Sequence, residues 1–323
     1  MKAVLIEGGE LVVREDVQRP VAGPTQLLVR VHAAGVNNAD LMRNAYHFGR
    51  HDGPPVPGLE FAGEVVEAGV EVEGFRPGER VMALTGSAYA EYAVVDYRLA
   101  VRVPDALSWT QAGGVMVVYQ TAHDALCTQG RFSAGDAVLV TACTSGVGIA
   151  ACQIATHLRA GFVIGTSTTP AKLEQMKAFG VTVPVDAKEK VLAARILEAT
   201  DGRGADVIVD SVGGAESPAI MEAAAIGARW ITVGRVGGKN ATLDLGELAR
   251  KRMELIGVTF RTRSLFERME VERRFARAVL PALASGAIQP KIDRWFPLAE
   301  AAAAQEHMRA GRHFGKIVLE VAP

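Results

Sequence analysis

The hydrophobic pattern of the first third of the chain consists of short, interrupted runs. Up to about residue 118, apolar stretches such as KAVLIE, QLLVRVHAAG and AYAEYAVV alternate with turns that contain glycine and proline. Short runs with turn residues between them are typical of an antiparallel, barrel-like β domain. We therefore predict a β domain over residues 1–118.

The pattern changes from about Gly135, where apolar runs are mostly separated by segments of helix length. Six such runs follow one another: AVLVTA, FVIGTS, VTVPVD, ADVIVDSVG, ARWITVG and ELIGVTF. Apolar strands that alternate with helices are typical of a parallel sheet buried on both faces. We predict an α/β fold with a doubly wound parallel sheet over residues 119–260. A βα barrel would need regular βα units from the start of the chain, which residues 1–118 do not offer.

The remaining residues, 261–323, are expected to join residues 1–118 in one domain. They contain a helical segment, then QPKIDRWFPL, a second helix and the strand-like GKIVLEV. At about 100–200 residues per domain, a chain of this length corresponds to roughly two domains. The predicted organisation is therefore a doubly wound domain flanked in sequence by two parts of a second domain.

The charge balance excludes some classes of partner. The chain has 35 Lys and Arg against 36 Asp and Glu, a net charge of −1. No basic cluster is large enough for a nucleic-acid footprint. The short basic run Arg250–Lys251–Arg252 is interpreted as a solvated helix end. We expect no nucleic-acid partner.

No apolar run approaches the roughly 18 residues that a membrane-spanning helix needs. The N-terminal MKAVLIEGG is too short for the core of a signal peptide and fits a first strand. The three cysteines, Cys127, Cys143 and Cys152, are too few and too irregularly spaced for a disulfide framework or a zinc knot. We expect reduced thiols in a cytoplasmic protein without a membrane partner.

The stretch VTACTSGVGIAACQIA at 140–155 leads from an apolar strand through a small-residue turn into a helix. Gly146 and Gly148 lie where a dinucleotide turn needs small residues, and the helix N-terminus offers N–H donors to phosphates. Ser145 stands where glycine is usual, and its hydroxyl could itself bond a phosphate. The alternative is a strand–helix corner whose glycines serve packing alone, but the surrounding α/β pattern favours a nucleotide site.

The end of the next strand bears on which cofactor is used. NAD sites usually place an acid there to hold the ribose hydroxyls. The stretch GTSTTPAK at 165–172 has no acid before Glu174 and instead carries three hydroxyls and one cation: Ser167, Thr168, Thr169 and Lys172. Such groups attract a 2′-phosphate, so we predict NADPH. The alternative is that Thr169–Pro170 only caps the following helix and that Lys172 lies in solvent.

Eight motifs in order resemble the medium-chain dehydrogenase/reductase superfamily, in its zinc-free quinone oxidoreductase branch. They are GVNNAD (35–40), PGLEFAGEVVEAG (57–69), FRPGERV (75–81), AYAEY (88–92), VYQTAHDAL (118–126), TSGVG (144–148), GRGADVIVDSVGG (202–214) and GKIVLEV (315–321). The resemblance runs nearly from end to end. It implies a GroES-like β domain, residues 1–118 with 261–323, that carries the substrate site, and a Rossmann domain, residues 119–260, that binds NADPH.

Zinc-dependent relatives carry a cysteine or an equivalent ligand near the start of the GVNNAD segment and a histidine just before Glu60. This chain has Asn37 and Leu59 there, and leucine cannot bind a metal. A structural loop of four closely spaced cysteines is absent from the sequence. His47 and His51 lie in a loop rich in glycine and proline and lack the geometry of a helical ligand pair. We therefore expect no metal.

The resemblance also implies roles for particular residues. Asn37 and Thr121 would hold the nicotinamide, and Gly146 and Val147 would present backbone to the pyrophosphate. The edge of the cofactor would be lined by Ser211, Gly234 and Arg235, and Phe260 would help to bury the ring. Tyr46 either donates a proton or shapes the pocket. Arg261 and Arg263 either meet a phosphate or an acidic substrate or lie on the surface, and Ala187 replaces a tyrosine that in relatives touches the adenosine phosphate.

Without a metal, the acceptor must be one that takes hydride easily, as a quinone does through delocalisation. We predict an NADPH-dependent quinone oxidoreductase. The first alternative is a reductase of α,β-unsaturated carbonyls, either 2-alkenals or enoyl thioesters. The second is a catalytically idle NADPH-binding protein. A homodimer that pairs through ELIGVTF is also expected from the resemblance.

Overall fold

The computed structural model describes residues 1–42, 54–189 and 191–321. The chain divides into two compact units. Unit 1 consists of Met1–Gln120 and Arg263–Pro323, and unit 2 of Thr121–Thr262. The chain passes from unit 1 to unit 2 after Gln120 and returns to unit 1 after Thr262. Both points lie within two residues of the boundaries expected from the sequence pattern. Each unit is described separately below.

Unit 1 is built on antiparallel strands. Strands β1 (Ala3–Glu7) and β2 (Glu10–Arg14) form a two-stranded sheet. The larger sheet contains seven strands: β3 (Gln26–Val36), β4 (Glu60–Ala68), β5 (Arg80–Leu84), β6 (Tyr92–Asp96), β7 (Ala100–Arg102), β14 (Ile292–Pro297) and β15 (Lys316–Glu320). Their order is β14-β15-β3-β4-β5-β7, with β6 on β3, and β14–β15 is the parallel pair. The expected β domain is thus present, and the C-terminal segment joins its sheet.

The helices of unit 1 precede and follow unit 2 in the chain. They are α1 (Trp109–Ala112), α2 (Met116–His123, which runs into unit 2 and continues as a π-helical turn over Asp124–Gln129), α8 (Leu265–Ala278), α9 (Leu280–Ala284) and α10 (Ala301–Arg309). Helix α1 starts with a capping box in which Ser108 and Gln111 each bond the other's backbone. Helix α8 starts in the same way at Ser264 and Glu267.

Strand β3 organises unit 1 because three neighbours pair with it: β4, β6 and β15. Ile317 of β15 faces Val36, the last residue of β3, and Ala34 faces Phe61 of β4. The C-terminal end of β3 therefore meets the first residues of β4 and β15. This junction brings Asn37, Glu60 and Lys316 together.

Unit 2 is a six-stranded parallel sheet with helices between the strands. The strands are β8 (Ala137–Val140), β9 (Phe162–Ser167), β10 (Val183–Asp186), β11 (Ala205–Asp210), β12 (Ala224–Thr232) and β13 (Glu254–Gly257); the helices are α3 (Gly146–His157), α4 (Pro170–Gln175), α5 (Leu192–Ala199), α6 (Ser217–Ala223) and α7 (Leu245–Arg250). The order β10-β9-β8-β11-β12-β13 is the doubly wound order of a dinucleotide-binding domain. The predicted fold class is confirmed.

The interpretation of Arg250–Lys251–Arg252 as a solvated helix end is wrong for its middle residue. Lys251 is buried, and its Nζ donates to the carbonyl oxygens of Met221, Glu222 and Ala224 at 2.9, 2.7 and 2.9 Å. The last carbonyls of a helix lack partners within that helix. The ammonium group of Lys251 supplies donors at the end of α6, where the chain turns into β12.

The three thiols are free, and Cys143 and Cys152 are buried. Burial raises the pKa of Cys127 to about 11 and that of Cys143 to about 12. Both thiols are therefore neutral at physiological pH, which favours a packing role over redox chemistry.

Among the described residues, no helix is long and apolar enough to cross a membrane. Strand β13 ends the sheet of unit 2, and its Leu255 is 47% exposed. This edge is where the expected pairing with a second copy would occur. The dimer stays a prediction, and sedimentation velocity of the purified chain would test it.

Candidate active site

The turn after β8 has the local structure that the sequence predicts. Ala142 adopts a left-handed conformation with φ of 47°, and α3 begins at Gly146. Ser145 is the N-cap of α3, and its Oγ accepts a hydrogen bond from the Gly148 N–H at 3.1 Å. A Cβ atom on Gly148 would lie 2.5 Å from the carbonyl oxygen of Ala142. Glycine is therefore required here for the helix to pack against the turn.

The same turn can hold an anion. The first N–H groups of a helix have no acceptor within the helix, which leaves those of Gly146 and Val147 for a ligand. The Ser145 hydroxyl accepts from Gly148 and keeps its own hydrogen for donation. Small residues, a helix N-terminus and a hydroxyl donor match the chemistry of a pyrophosphate group.

The end of β9 is hydrogen-bonded to this turn. The Cys143 N–H donates to the Thr166 carbonyl oxygen at 2.9 Å, and the Thr144 and Ser167 hydroxyls lie 3.4 Å apart. The structure thus brings Ser167 beside the turn between β8 and α3, hereafter the phosphate turn, through Thr144, a residue that the sequence pattern did not select. Thr168 is exposed, and Lys172 lies half-buried on α4.

The expected Thr169–Pro170 cap of α4 is present in its positions, with Pro170 at the start of the helix, but it lacks a side-chain hydrogen bond. Thr169 occupies the N-cap position, but its side chain makes no capping bond. Its backbone N–H donates instead to the Ser167 Oγ at 3.2 Å. The Ser167 hydroxyl therefore shapes the loop before α4 in addition to any contact with a ligand.

The loops that follow β11 and β12 pack against each other at the carboxyl ends of these strands. The Gly237 N–H donates to the Val212 carbonyl oxygen at 2.9 Å. A Cβ atom on Gly234 would lie 2.6 Å from the Ser211 carbonyl oxygen. Two of the selected residues, Ser211 and Gly234, are thus in close contact, and Arg235 next to them is exposed.

A buried carboxylate organises this edge of the sheet. One oxygen of Asp210 accepts hydrogen bonds from the Thr141 hydroxyl and from the N–H groups of Val212 and Gly213 at 2.7, 2.9 and 3.1 Å; the other accepts from the Trp230 indole at 3.1 Å. Thr141 in turn accepts from the Ser211 N–H at 2.8 Å. Asp210 therefore links β8, β11 and β12 where the order of the parallel strands reverses, the usual place for a ligand.

The remaining residues that the sequence selects lie in separate parts of the chain. Thr121 is half-buried in α2, and Phe260 is half-buried three residues beyond the end of β13. Their roles stay predictions. Tyr46, together with His47 and His51, lies outside the described residues.

In unit 1, Asn37 is held by two charged side chains. Its Nδ2 donates to Glu60 Oε1 at 3.0 Å and to the Gly35 carbonyl oxygen at 3.3 Å. Its Oδ1 accepts from Lys316 Nζ at 2.5 Å. Glu60 also binds Lys316 Nζ at 2.6 Å, and its second oxygen accepts from the Val117 N–H at 2.8 Å. The cluster Asn37–Glu60–Lys316 is a buried ion pair that positions one amide.

Asp40 lies beside this cluster and is buried. Its Oδ2 accepts from the Asn37 N–H at 2.8 Å and from the Tyr89 hydroxyl at 3.0 Å. Burial raises the pKa of Asp40 to about 7, although both hydrogen bonds and the Lys316 charge act in the opposite direction. The charged groups that face it are Lys316, which lowers its pKa, and Glu60, which raises it.

The raised pKa of Asp40 predicts how stability changes with pH. The unfolded chain releases this proton at about pH 4, but the folded protein keeps it up to about pH 7. The contribution of Asp40 to the free energy of unfolding therefore falls as the pH rises through this window and is constant above it. Asp40→Asn should make the protein more stable than wild type at pH 8 but not at pH 4. Urea denaturation at both values measures the difference, and a difference independent of pH would refute this origin.

In the parts of the chain that the structure describes, no group of three or more His, Cys, Asp or Glu side chains could hold a metal ion. At the positions where zinc-dependent relatives carry ligands, Asn37 is bonded within the cluster and Leu59 is apolar. The only side-chain cation bonded to Asn37 in this described part is the ammonium of Lys316.

Comparisons with known proteins agree with this architecture. Residues 23–105 match the GroES-like domain of alcohol dehydrogenases, and residues 146–275 match the zinc-binding dehydrogenase family. A quinone oxidoreductase of Pseudomonas aeruginosa is 32% identical over 97% of this chain and 96% of its own. A phenolphthiocerol/phthiocerol polyketide synthase of Mycobacterium tuberculosis is 32% identical over 95% of this chain, which spans only 14% of that protein.

Solved structures give the same result. An NAD-dependent alcohol dehydrogenase superposes with a TM-score of 0.90 and 28% identity, with both chains covered completely. A mycobacterial protein complexed with NADPH superposes with a TM-score of 0.87 and 28% identity, covering 99% of this chain and 100% of that one. The protein therefore belongs to the medium-chain dehydrogenase/reductase superfamily of oxidoreductases, in its quinone oxidoreductase-like branch.

Proposed function

We propose that the protein is an NADPH-dependent, zinc-independent oxidoreductase that reduces a quinone. The observation that carries the choice of cofactor is the end of β9, which joins the phosphate turn through Ser167 and Thr144 and has no acid before Glu174. The similarity to a quinone oxidoreductase supports the choice of acceptor.

The residues of unit 2 fit such a cofactor. Gly146, Val147 and Ser145 would bind the pyrophosphate through N–H and O–H donors. Thr168 and Lys172 would bind the 2′-phosphate because both are on or near the surface beyond β9. An acid at this position would repel that phosphate. The nicotinamide of a cofactor held by these residues would supply a hydride.

For the acceptor, the chain's own contribution is orientation and hydrogen bonding. A quinone spreads the negative charge that develops when hydride arrives, so a metal ion is not required to stabilise it. Asn37 and Thr121 would orient the nicotinamide, and Phe260 would exclude water from one side of its ring. Tyr46 would donate the proton that completes reduction of the oxygen.

Replacing Lys172 tests the cofactor assignment. We expect wild type to bind NADPH more tightly than NADH, because a charge-assisted bond to phosphate contributes about 1.5–3 kcal/mol, roughly ten- to a hundredfold in affinity. Lys172→Ala should lose most of this preference without weakening NADH. Nicotinamide fluorescence measures both affinities.

Lys177 offers a matched control for this experiment. It lies five residues further on, is exposed, and pairs with Glu174 at 2.7 Å. Lys177→Ala should leave the preference for NADPH unchanged. Equal or stronger binding of NADH by wild type would refute the assignment of the 2′-phosphate site.

A second candidate function is reduction of an activated alkene, an enoyl thioester or a 2-alkenal. The match to polyketide synthases favours it, and one of these relatives, from Cordyceps militaris, is named a highly reducing polyketide synthase. The chain spans only 12% of that protein. Oxidation of NADPH with crotonyl-coenzyme A or 2-hexenal, but not with quinones, would select this function. Tight binding of NADPH without turnover on either class would indicate a non-catalytic protein.

A further inference from the structure

The Asn37–Glu60–Lys316 cluster contains an ammonium group whose three hydrogens all have acceptors. Lys316 Nζ donates to the Val36 carbonyl oxygen at 2.8 Å, to Asn37 Oδ1 at 2.5 Å and to Glu60 Oε1 at 2.6 Å. The Lys316 side chain is 4% exposed and that of Glu60 is fully buried. An ammonium with three acceptors has no donor left for a ligand. Lys316 therefore offers a ligand no hydrogen bond of its own.

The charges on either side fix which way the Asn37 amide points. A carbonyl oxygen accepts from the ammonium, and an NH2 group donates to the carboxylate. The flipped amide would place NH2 against the ammonium and oxygen against the carboxylate, two unfavourable contacts in a buried site. In the observed orientation both Nδ2 hydrogens are used, by Glu60 and by Gly35. What remains is one lone pair on Oδ1, so Asn37 can offer a ligand only a hydrogen-bond acceptor.

The surrounding backbone makes room for both charged side chains. A Cβ atom on Gly35 would lie 2.2 Å from Glu60 Oε1, and one on Gly114 would lie 2.8 Å from Lys316 Cγ. A buried ion pair is weak evidence for stability, since apolar residues of similar volume are often as stable or more so. A role in positioning accounts better for two charges buried beside one amide.

We propose that Lys316 and Glu60 are positioning residues that hold Asn37 as a fixed acceptor for the carboxamide NH2 of the nicotinamide. This inference rests on the proposed function, because it takes a nicotinamide cofactor as the ligand. Asn37 is buried but keeps 6% exposure, and Oδ1 is the side-chain atom with unused hydrogen-bonding capacity. Without the two charges the amide is free to turn its NH2 group toward the ligand, and the contact is lost for part of the population.

The test compares NADPH with 2′-phosphoadenosine diphosphate ribose, which is the cofactor without its nicotinamide. A double variant, Lys316→Met with Glu60→Gln, removes both charges together and so leaves no buried charge unpaired. It should bind NADPH about tenfold more weakly, the value of one hydrogen bond, and bind the fragment as wild type does. Adding Asn37→Ala to the double variant should cause little further loss, because the three residues act as a unit.

Lys251→Met is the matched control, since it removes a buried ammonium from unit 2 that holds only backbone carbonyls. It should lower the melting temperature and leave the ratio of the two affinities unchanged. If the double variant does not fold, Glu60→Gln alone, which preserves side-chain volume, should lower the affinity for NADPH but not for the fragment.

Two results would overturn the inference: an unchanged ratio of affinities in the charge-free variant, or an equal loss for both ligands. A wild-type protein that binds NADPH no better than the fragment would also overturn it while leaving the phosphate site intact. A wild-type protein that binds neither ligand would contradict the proposed function itself.

Discussion

Replacing Gly148 with valine is expected to abolish binding of NADPH within the measurable range. The Cβ atom of any other residue would lie 2.5 Å from the Ala142 carbonyl oxygen and 2.6 Å from the Cys143 Cα. Both contacts are with backbone, so the turn itself must move. The displaced turn would carry Gly146, Val147 and Ser145 away from the pyrophosphate. Losing about 3 kcal/mol of binding corresponds to at least a hundredfold in affinity.

Fluorescence titration with NADPH measures this loss, and circular dichroism reports whether the variant folds. Gly148→Ala, with a smaller side chain, should show a weaker effect in the same direction. Gly257→Ala is the control, because the nearest atom to its added Cβ is the Thr232 hydroxyl at 3.9 Å. A folded Gly148→Val protein that binds NADPH as wild type does would show that the turn serves packing alone.

Removing the carboxylate of Asp210 should cost the protein much of its stability. Asp210→Ala leaves four donors without their acceptor: the Thr141 hydroxyl, the N–H groups of Val212 and Gly213, and the Trp230 indole. A buried donor without a partner costs about 1–3 kcal/mol, so the loss should reach about 4 kcal/mol or more. Since native proteins are stable by only about 5–15 kcal/mol, this variant should be close to unfolding.

Urea denaturation measures this loss of stability. Asp210→Asn separates the three hydrogen bonds to one carboxylate oxygen from the single bond between the other oxygen and the Trp230 indole. The asparagine oxygen can still accept from Thr141, Val212 and Gly213, but its NH2 group then faces the Trp230 indole N–H. Asp210→Asn should therefore be less harmful than Asp210→Ala. Adding Trp230→Phe should cost less in the Asp210→Asn background than in wild type, because it removes the opposed donor. Additive effects would argue against this account of the network.

The sheet of unit 2 could be predicted because its strands are buried on both faces and are therefore apolar throughout. The exact residues at which the strands end could not be predicted. The apolar run ELIGVTF continues to Phe260, but β13 ends at Gly257, which pairs with the last residue of β12, Thr232. The length of an edge strand is set by its neighbour, which the local pattern does not contain.

The phosphate turn could also be predicted, since glycine spacing and the strand–helix context are local features. The contacts that position Asn37 could not, because Lys316 is 279 residues away from it in sequence. A lysine at the start of the apolar strand KIVLE was a usable signal, since such a residue needs a buried partner. Lys251 was predicted to be solvated because it lies in a basic run. The local pattern does not show that the fold places carbonyl groups at the end of α6 beside this lysine.

Zinc-independent reduction of a quinone is tested by following the oxidation of NADPH by an ortho-quinone after treatment of the protein with a metal chelator. Loss of nicotinamide absorbance on addition of quinone reports hydride transfer. We expect turnover that chelation does not change and that is faster with NADPH than with NADH. Absence of quinone-dependent oxidation, or activity that chelation removes and zinc restores, would contradict it.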